Sequence, residues 1–361
     1  MCSIMGRCVT RRGGPWWSGL AAVALACAAC LAAIVAPALG GAPRSAEAQP
    51  RVRAVATVGM ITDAVRHVGG GRVAVTGLMG QGIDPHLYKA SPGDVRAMAD
   101  ADVVFYNGLH LEGRMAEVIE RMASRTTVVR VTEAIDPALL RSPPEFEGQP
   151  DPHVWFDVSL WRSVVGRVGQ ALARTDPDGA DHYARSAAEH AALLDELHGY
   201  AAASLASVPP AGRVLVTAHD AFGYFGRAYG LEVLAIQGIS TDSEASLRDI
   251  NALVDTLVSR KVPAVFIESS VPRKTVDALV QGCAGRGHAV VVGGELFSDA
   301  LGAPGTLEGT YVGMVLHNVR TITRALGGAP PEALPALLRA YVERFGSPPA
   351  TTAPPGRAGE P

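Results

Sequence analysis

One tripeptide occurs twice among the residues of this chain that are able to do chemistry. Asp84-Pro85-His86 lies in "GIDPHLYKAS", and Asp151-Pro152-His153 lies in "PDPHVWFDVS". Proline fixes the backbone just before each histidine, so each imidazole is presented at low entropic cost. His219 in "VTAHDAFGYF" and Asp299 in "GGELFSDALG" bring the set to three imidazoles and one carboxylate. Such a set is nitrogen-rich and borderline-soft, which suits a divalent transition metal and zinc above all. Each residue alone has an ordinary reading. A loop histidine is usually solvated or tied to a carbonyl, and Asp299 in "SDA" would cap a helix. That ordinary reading goes to His67, His110, His182, His190, His198, His288 and His317, with His110 kept in view because it follows a strand. Asp84 and Asp151 read first as turn residues, with orientation of the two histidines as the alternative.

The metal reading depends on the elements that carry these four residues. Short β-branched runs recur at 52–58, 72–79, 101–108 and 126–133, then at 213–220, 231–238, 262–270 and 288–296. Each is nearly continuously apolar, as a strand covered on both faces should be. Helical stretches alternate with them, which predicts α/β architecture with parallel sheets, four strands in each of two lobes. His86 follows the second strand, His153 the fourth, His219 ends the fifth, and Asp299 follows the eighth. Ligands of open α/β sheets bind beyond the carboxyl ends of the strands, so all four side chains face one inter-lobe crevice. Tyr183, Ala187, His190, Leu194, Leu197, Ala201 and Leu205 form one stripe of a long helix over 181–208. The expected organisation is an N-terminal lobe at 49–180, this rigid linking helix at 181–208, a C-terminal lobe at 209–345 and a disordered Pro/Gly-rich tail at 346–361.

The first 48 residues read as a secretory signal: Arg7, Arg11 and Arg12, then a long apolar run, then Ala46-Glu47-Ala48 as a small-x-small cleavage site. Cys27 and Cys30 are the positions where a lipid would attach, and the run is long enough to hold an uncleaved chain at a membrane. Removing 1–48 takes four basic residues and one acidic residue, leaving 28 basic and 34 acidic, a formal charge of −6. That balance argues against nucleic acid as a partner. Only Cys283 remains of five cysteines, so the mature chain has no internal disulfide and no thiolate metal site.

Several long segments carry a family resemblance: "GIDPHLYKASPGDVRAMADADVVFYNGLHLEGRM", "DPHVWFDV", "VTAHDAFGYFGRAYGLEV", "GISTDSEAS", "PAVFIESS" and "GGELFSDALGAPGTLEGTYVGMVLHN". Over roughly residues 53–327 the chain resembles the TroA-like metal-binding solute-binding proteins of zinc/manganese ABC transporters. The resemblance implies ligand positions at His86, His153, His219 and Asp299. It implies two lobes, each with a four-stranded parallel sheet, bridged by one long helix. It also implies delivery of the metal to a membrane permease driven by a cytoplasmic ATPase. Manganese-dedicated members tend to carry glutamate where His219 stands, and loop-bearing zinc members have a histidine-rich insertion that this chain lacks. The pattern therefore resembles the branch that takes zinc or manganese.

On this reading the chain is not an enzyme. It captures one Zn2+, with Mn2+ or Fe2+ as alternatives, and releases it as a monomer to the permease. Glu268 in "FIESS" is the candidate carboxylate behind a ligand, with a plain strand-end role as its alternative. Asp242 and Glu244 are further acids expected near the site. Trp155, Phe222 and Tyr224 are expected to pack around it and exclude water. A zinc hydrolase is the main rival, but the chain has no HExxH helix and no G-x-S-x-G elbow. A surface adhesin is the other rival, and no repeat or sorting signal supports it.

Overall fold

Every one of the eight apolar runs forms a strand in the computed structural model, which describes residues 51–346. The expected leader and most of the expected tail lie outside those residues. In the first half, β1 (Val52–Ala56), β2 (Val73–Gly77), β3 (Val103–Tyr106) and β4 (Thr127–Arg130) form one parallel sheet in the order β2-β1-β3-β4. The central strands β1 and β3 are buried almost throughout, while β2 and β4 leave much of their length exposed. Burial on both faces is therefore a property of the inner strands. An edge strand is covered by neighbours on one side only.

The second half repeats this plan with a break in the middle. β5 (Val214–His219) pairs in parallel with β6 (Glu232–Gln237), and β7 (Ala264–Glu268) with β8 (Val291–Leu296). β5 and β7 run beside each other and are the buried inner strands. Where they meet, the Glu268 side chain accepts from the N–H groups of Ala218 and His219. A carboxylate thus takes up donors of β5 at its end, and the four strands divide into two hydrogen-bonded pairs. The β7–β8 pairing carries a register shift at Val265/Phe266.

Helices cover these sheets: α1 (Gly59–Gly69), α2 (Pro92–Ala99) and α3 (Ala116–Met122) in the first half, then α4 (Val158–Thr175) and α5 (Ala180–Ala206). In the second half lie α6 (Gly223–Tyr229), α7 (Leu247–Arg260), α8 (Lys274–Gly285), α9 (Tyr311–Ala325) and α10 (Ala336–Gly346). Ser91 and Ser246 start α2 and α7 with reciprocal capping boxes. The long helix α5 has 27 residues, about 40 Å at 1.5 Å per residue. Its buried side chains include Tyr183, His190, Leu194, Leu197, Ala201 and Leu205, the expected stripe except half-buried Ala187. Leu193, Tyr200 and Ser204 widen that stripe, because α1, α4, α9 and α10 all pack on α5.

The histidines of α5 stay structural. His182 approaches the carbonyl of Gly69, and His198 the hydroxyl of Tyr229. His190 stacks on His67 of α1 at 4.6 Å between ring centroids. The Tyr341 hydroxyl of α10 stands 3.2 Å from Nε2 of the same His67. Asp63 of α1 accepts from the N–H of Tyr311 at the start of α9.

Candidate metal centre

His86, His153, His219 and Asp299 come together as one buried group, with a ligand atom from each lying within 4.8 Å of all the others. None of the four is more than 2% exposed. Nε2 of His86 and Nε2 of His153 are 3.3 Å apart. The Asp299 carboxylate lies 3.8 Å from Nε2 of His86, 3.5 Å from that of His153 and 3.1 Å from that of His219. All three imidazoles present the same nitrogen to one carboxylate.

The two tripeptides build the same turn and then diverge. Asp84 Oδ1 accepts from the N–H of His86 at 2.9 Å, and Asp151 Oδ1 from that of His153 at 3.0 Å. Each aspartate thus fixes the backbone of the histidine two residues on. Asp151 Oδ1 also lies 2.8 Å from Nδ1 of His153, and Asp151 Oδ2 pairs with Arg141 at 2.5 Å. Asp84 Oδ2 instead accepts from the Thr241 hydroxyl at 2.5 Å, across to the second half. One motif therefore orients an imidazole, while the other ties its loop to the facing half.

Glu268 does for His219 what Asp151 does for His153. Its Oε2 lies 2.5 Å from Nδ1 of His219, and its Oε1 accepts from Ala218 N at 2.7 Å and His219 N at 2.9 Å. A carboxylate on Nδ1 holds the proton there and leaves Nε2 bare as a metal ligand. Among the described residues no carboxylate meets Nδ1 of His86.

Charge and burial oppose each other at this site. Burial alone would lower His219, but the carboxylates of Glu268 and Asp299 outweigh it and push the imidazole well above its ordinary value. Burial would raise Asp299, yet the three imidazoles hold it below the usual carboxylate range. For His86 burial wins, and its pKa falls to about 3. Both oxygens of Asp299 and Nε2 of His219 are buried without a hydrogen-bond partner among the described residues. Polar atoms at such depth are normally satisfied, and a cation would satisfy these three together.

The aromatic surround is nearly as expected. The edge of Trp155 meets His153 at 5.2 Å between centroids, and its Nε1 donates to the carbonyl of Ser298, next to Asp299. Tyr224 donates its hydroxyl to the carbonyl of Asp151. Phe222 stacks on Phe156 instead of on one of the four clustered side chains. Among the expected acids, Glu244 is exposed and Asp242 is exposed and paired with Arg114 at 2.6 Å. His110 is exposed and stands apart from the group. Arg141, Asn107 and Glu112 support the site without having been singled out from sequence. The string "NGLHLEG" just after β3 was the available signal for the last two, and Arg141 had none.

Comparison with known proteins gives concordant results. The family model described as zinc-uptake complex component A, periplasmic, matches residues 54–325. The zinc-binding protein TroA of Treponema pallidum is 49% identical over 289 residues, covering 80% of this chain and 92% of that protein. The manganese-binding lipoprotein MntA of Bacillus subtilis is 46% identical over 286 residues, covering 79% and 92%. The solved structure of the periplasmic zinc-binding protein TroA from Treponema pallidum superposes with a TM-score of 0.75, covering 76% of this chain and 99% of that one. These descriptions are extracytoplasmic, in agreement with the export expected from the leader. No helix among the described residues is long and apolar enough to cross a membrane. The chain belongs to the zinc-uptake component A family, extracytoplasmic metal-binding proteins whose relatives include ABC transporter substrate-binding lipoproteins, and is a binding protein and not an enzyme.

Proposed function

We propose that this protein captures one divalent transition metal ion, zinc in first place, through His86, His153, His219 and Asp299. The ion sits between an N-terminal lobe (49–180) and a C-terminal lobe (209–345) joined by the helical segment 181–208. The protein then delivers it, as a monomer, to a membrane permease driven by a cytoplasmic ATPase. The observation that carries this reading is the buried Asp299 carboxylate ringed by three Nε2 atoms. A tetrahedron of 2.0–2.1 Å bonds has edges of roughly 3.3–3.4 Å. Four of the ligand–ligand distances, 3.1, 3.3, 3.5 and 3.8 Å across the two Asp299 oxygens, lie around that value, and the whole group fits within 4.8 Å. Three nitrogens and one oxygen favour zinc over manganese and ferrous iron on intrinsic affinity. The relatives support a metal cargo of this class, one being named for zinc and another for manganese.

Four protein ligands fill a tetrahedral shell and leave no open position for a reacting water. The chemistry is therefore capture and release, without turnover. Elemental mass spectrometry of the mature protein tests this, followed by zinc–manganese competition on the chelator-stripped form. One zinc per chain, with manganese readily displaced, is the expected result. Manganese or iron retained against zinc would overturn the metal choice, and no bound metal under any loading would overturn the site.

A further inference from the structure

In both halves a buried carboxylate binds backbone amides at or just past the end of an inner strand. Glu268 grips two successive amides, Ala218 and His219, and the second belongs to a proposed ligand. Glu112 grips two successive amides in the first half. Its Oε1 accepts from Asn107 N at 2.7 Å and from the Thr57 hydroxyl at 2.6 Å, and its Oε2 from Gly108 N at 3.0 Å. Glu112 is 3% exposed, so these bonds are made out of reach of solvent and hold firmly.

The backbone that Glu112 grips is unusual. Gly108, Leu109 and His110 have φ of 78°, 53° and 65°. Residues with a Cβ seldom adopt this left-handed region, and a run of them persists only where the surroundings hold it. At Gly108 a Cβ would in addition collide with the side chain of Arg130.

Asn107 stands at the head of this turn and is fully buried. Its carbonyl accepts from the Thr132 hydroxyl at 2.6 Å, and its N–H goes to Glu112. With its main chain fixed at both ends, its side-chain amide donates to the carbonyl of Pro152 at 3.1 Å. Pro152 immediately precedes His153. Asp151 orients the imidazole of His153 through Nδ1 and accepts from the N–H of the same peptide; the Pro152 carbonyl accepts from Val154 N–H inside the turn and from Asn107, which ties that turn to the β3 loop.

We propose that Asn107, held by Glu112, is a positioning residue for metal capture: it pins the Pro152 carbonyl and so sets where Nε2 of His153 stands. This inference rests on the reading of His153 as a ligand. A merely structural asparagine would lower stability without regard to which ligands are present. A positioning asparagine acts only through His153.

The test is Asn107→Leu, which keeps the size and removes the donor, made in the mature protein and again in a His153→Ala background. Zinc affinity is measured by competition with a chromophoric chelator. The expected result is a loss of roughly tenfold in the parent, the lower end of the range for groups that support metal ligands. In the His153→Ala background Asn107→Leu should change nothing further, because the two changes share one route. Proton NMR supplies a second readout: the Nδ1 proton of His153 should shift while that of His219 stays in place. Unchanged affinity in Asn107→Leu, or the same loss in both backgrounds, overturns the proposal. His153→Ala binding zinc as tightly as the parent would instead remove the ligand reading beneath it. If Asn107→Leu does not fold, Asn107→Ser stops one atom short of the Pro152 carbonyl and carries the same expectations.

Discussion

Replacing Glu268 by glutamine probes the site through a residue that does not itself face the metal. Glu268 is 4% exposed and makes three short contacts, to Ala218 N, His219 N and His219 Nδ1. Glutamine is nearly the same shape, so cavity formation is not at issue. Its carbonyl oxygen can keep the two backbone donors, but its NH2 group then faces Nδ1 of His219. Two donors cannot share that contact, so the imidazole must move its proton to Nε2. Nε2 is the atom that has to be bare to bind metal. Flipping the amide relieves that clash only by opposing its NH2 to two backbone N–H groups. The loss of the anion adds to the tautomer cost. Together they place the expected loss of zinc affinity at about 10–100-fold, equivalent to about 1.4–2.7 kcal/mol. Competition against a chromophoric chelator reads the affinity, and circular dichroism checks that the variant is folded. A folded Glu268→Gln protein that binds zinc as tightly as the parent would refute the argument that the carboxylate sets the tautomer of His219.

Other expectations follow from the same geometry. His86→Ala, His153→Ala or Asp299→Ala should each weaken zinc binding by at least about tenfold in the same titration; a variant with unchanged affinity has lost no ligand. In the metal-free protein His219 is raised well above its ordinary value, because its two carboxylates outweigh burial, whereas burial holds His86 down at about 3. Zinc must therefore displace a proton from His219 and none from His86 near neutrality. Affinity should fall as pH drops, by roughly tenfold per unit for each proton displaced. Calorimetry in buffers of different ionisation enthalpy counts that proton, and binding at pH 7 with no proton released would contradict the assignment. Solution scattering with and without zinc should give similar profiles, because α5 packs along both halves and resists a wide hinge; a large change in radius of gyration would show that it bends.

The strands and the four clustered side chains were legible because each leaves a local mark. Eight apolar runs between helical stretches specify an α/β chain, and two prolines before histidines mark presented imidazoles. Position at strand ends then brings His86, His153, His219 and Asp299 together without any knowledge of distances. Glu268 was visible for the same reason, as an acid closing a strand. The support under the site was less legible because it is made across the chain. Asp84 and Asp151 sit in identical tripeptides, yet only Asp151 reaches its histidine ring, since Thr241 and Arg141 arrive from different places. Asn107 and Glu112 look like ordinary turn residues after β3. Their role depends on Pro152, which lies 45 residues beyond Asn107. The division of the second sheet into two pairs left no such mark in the sequence.

The contacts of the last two helices bear on the order in which such a chain can close. Tyr341 meets His67 across 274 residues of sequence, and Tyr311 is bound by Asp63 across 248. These closures join the first helix to the last two, over the body of α5. Contacts of that separation form late, because the intervening chain must be ordered first. α1 packs mainly on β2, α4 and α5, so its body can be seated early. Its ties to Tyr311 and Tyr341 are the closures whose second partner comes last in a chain made from its N-terminus.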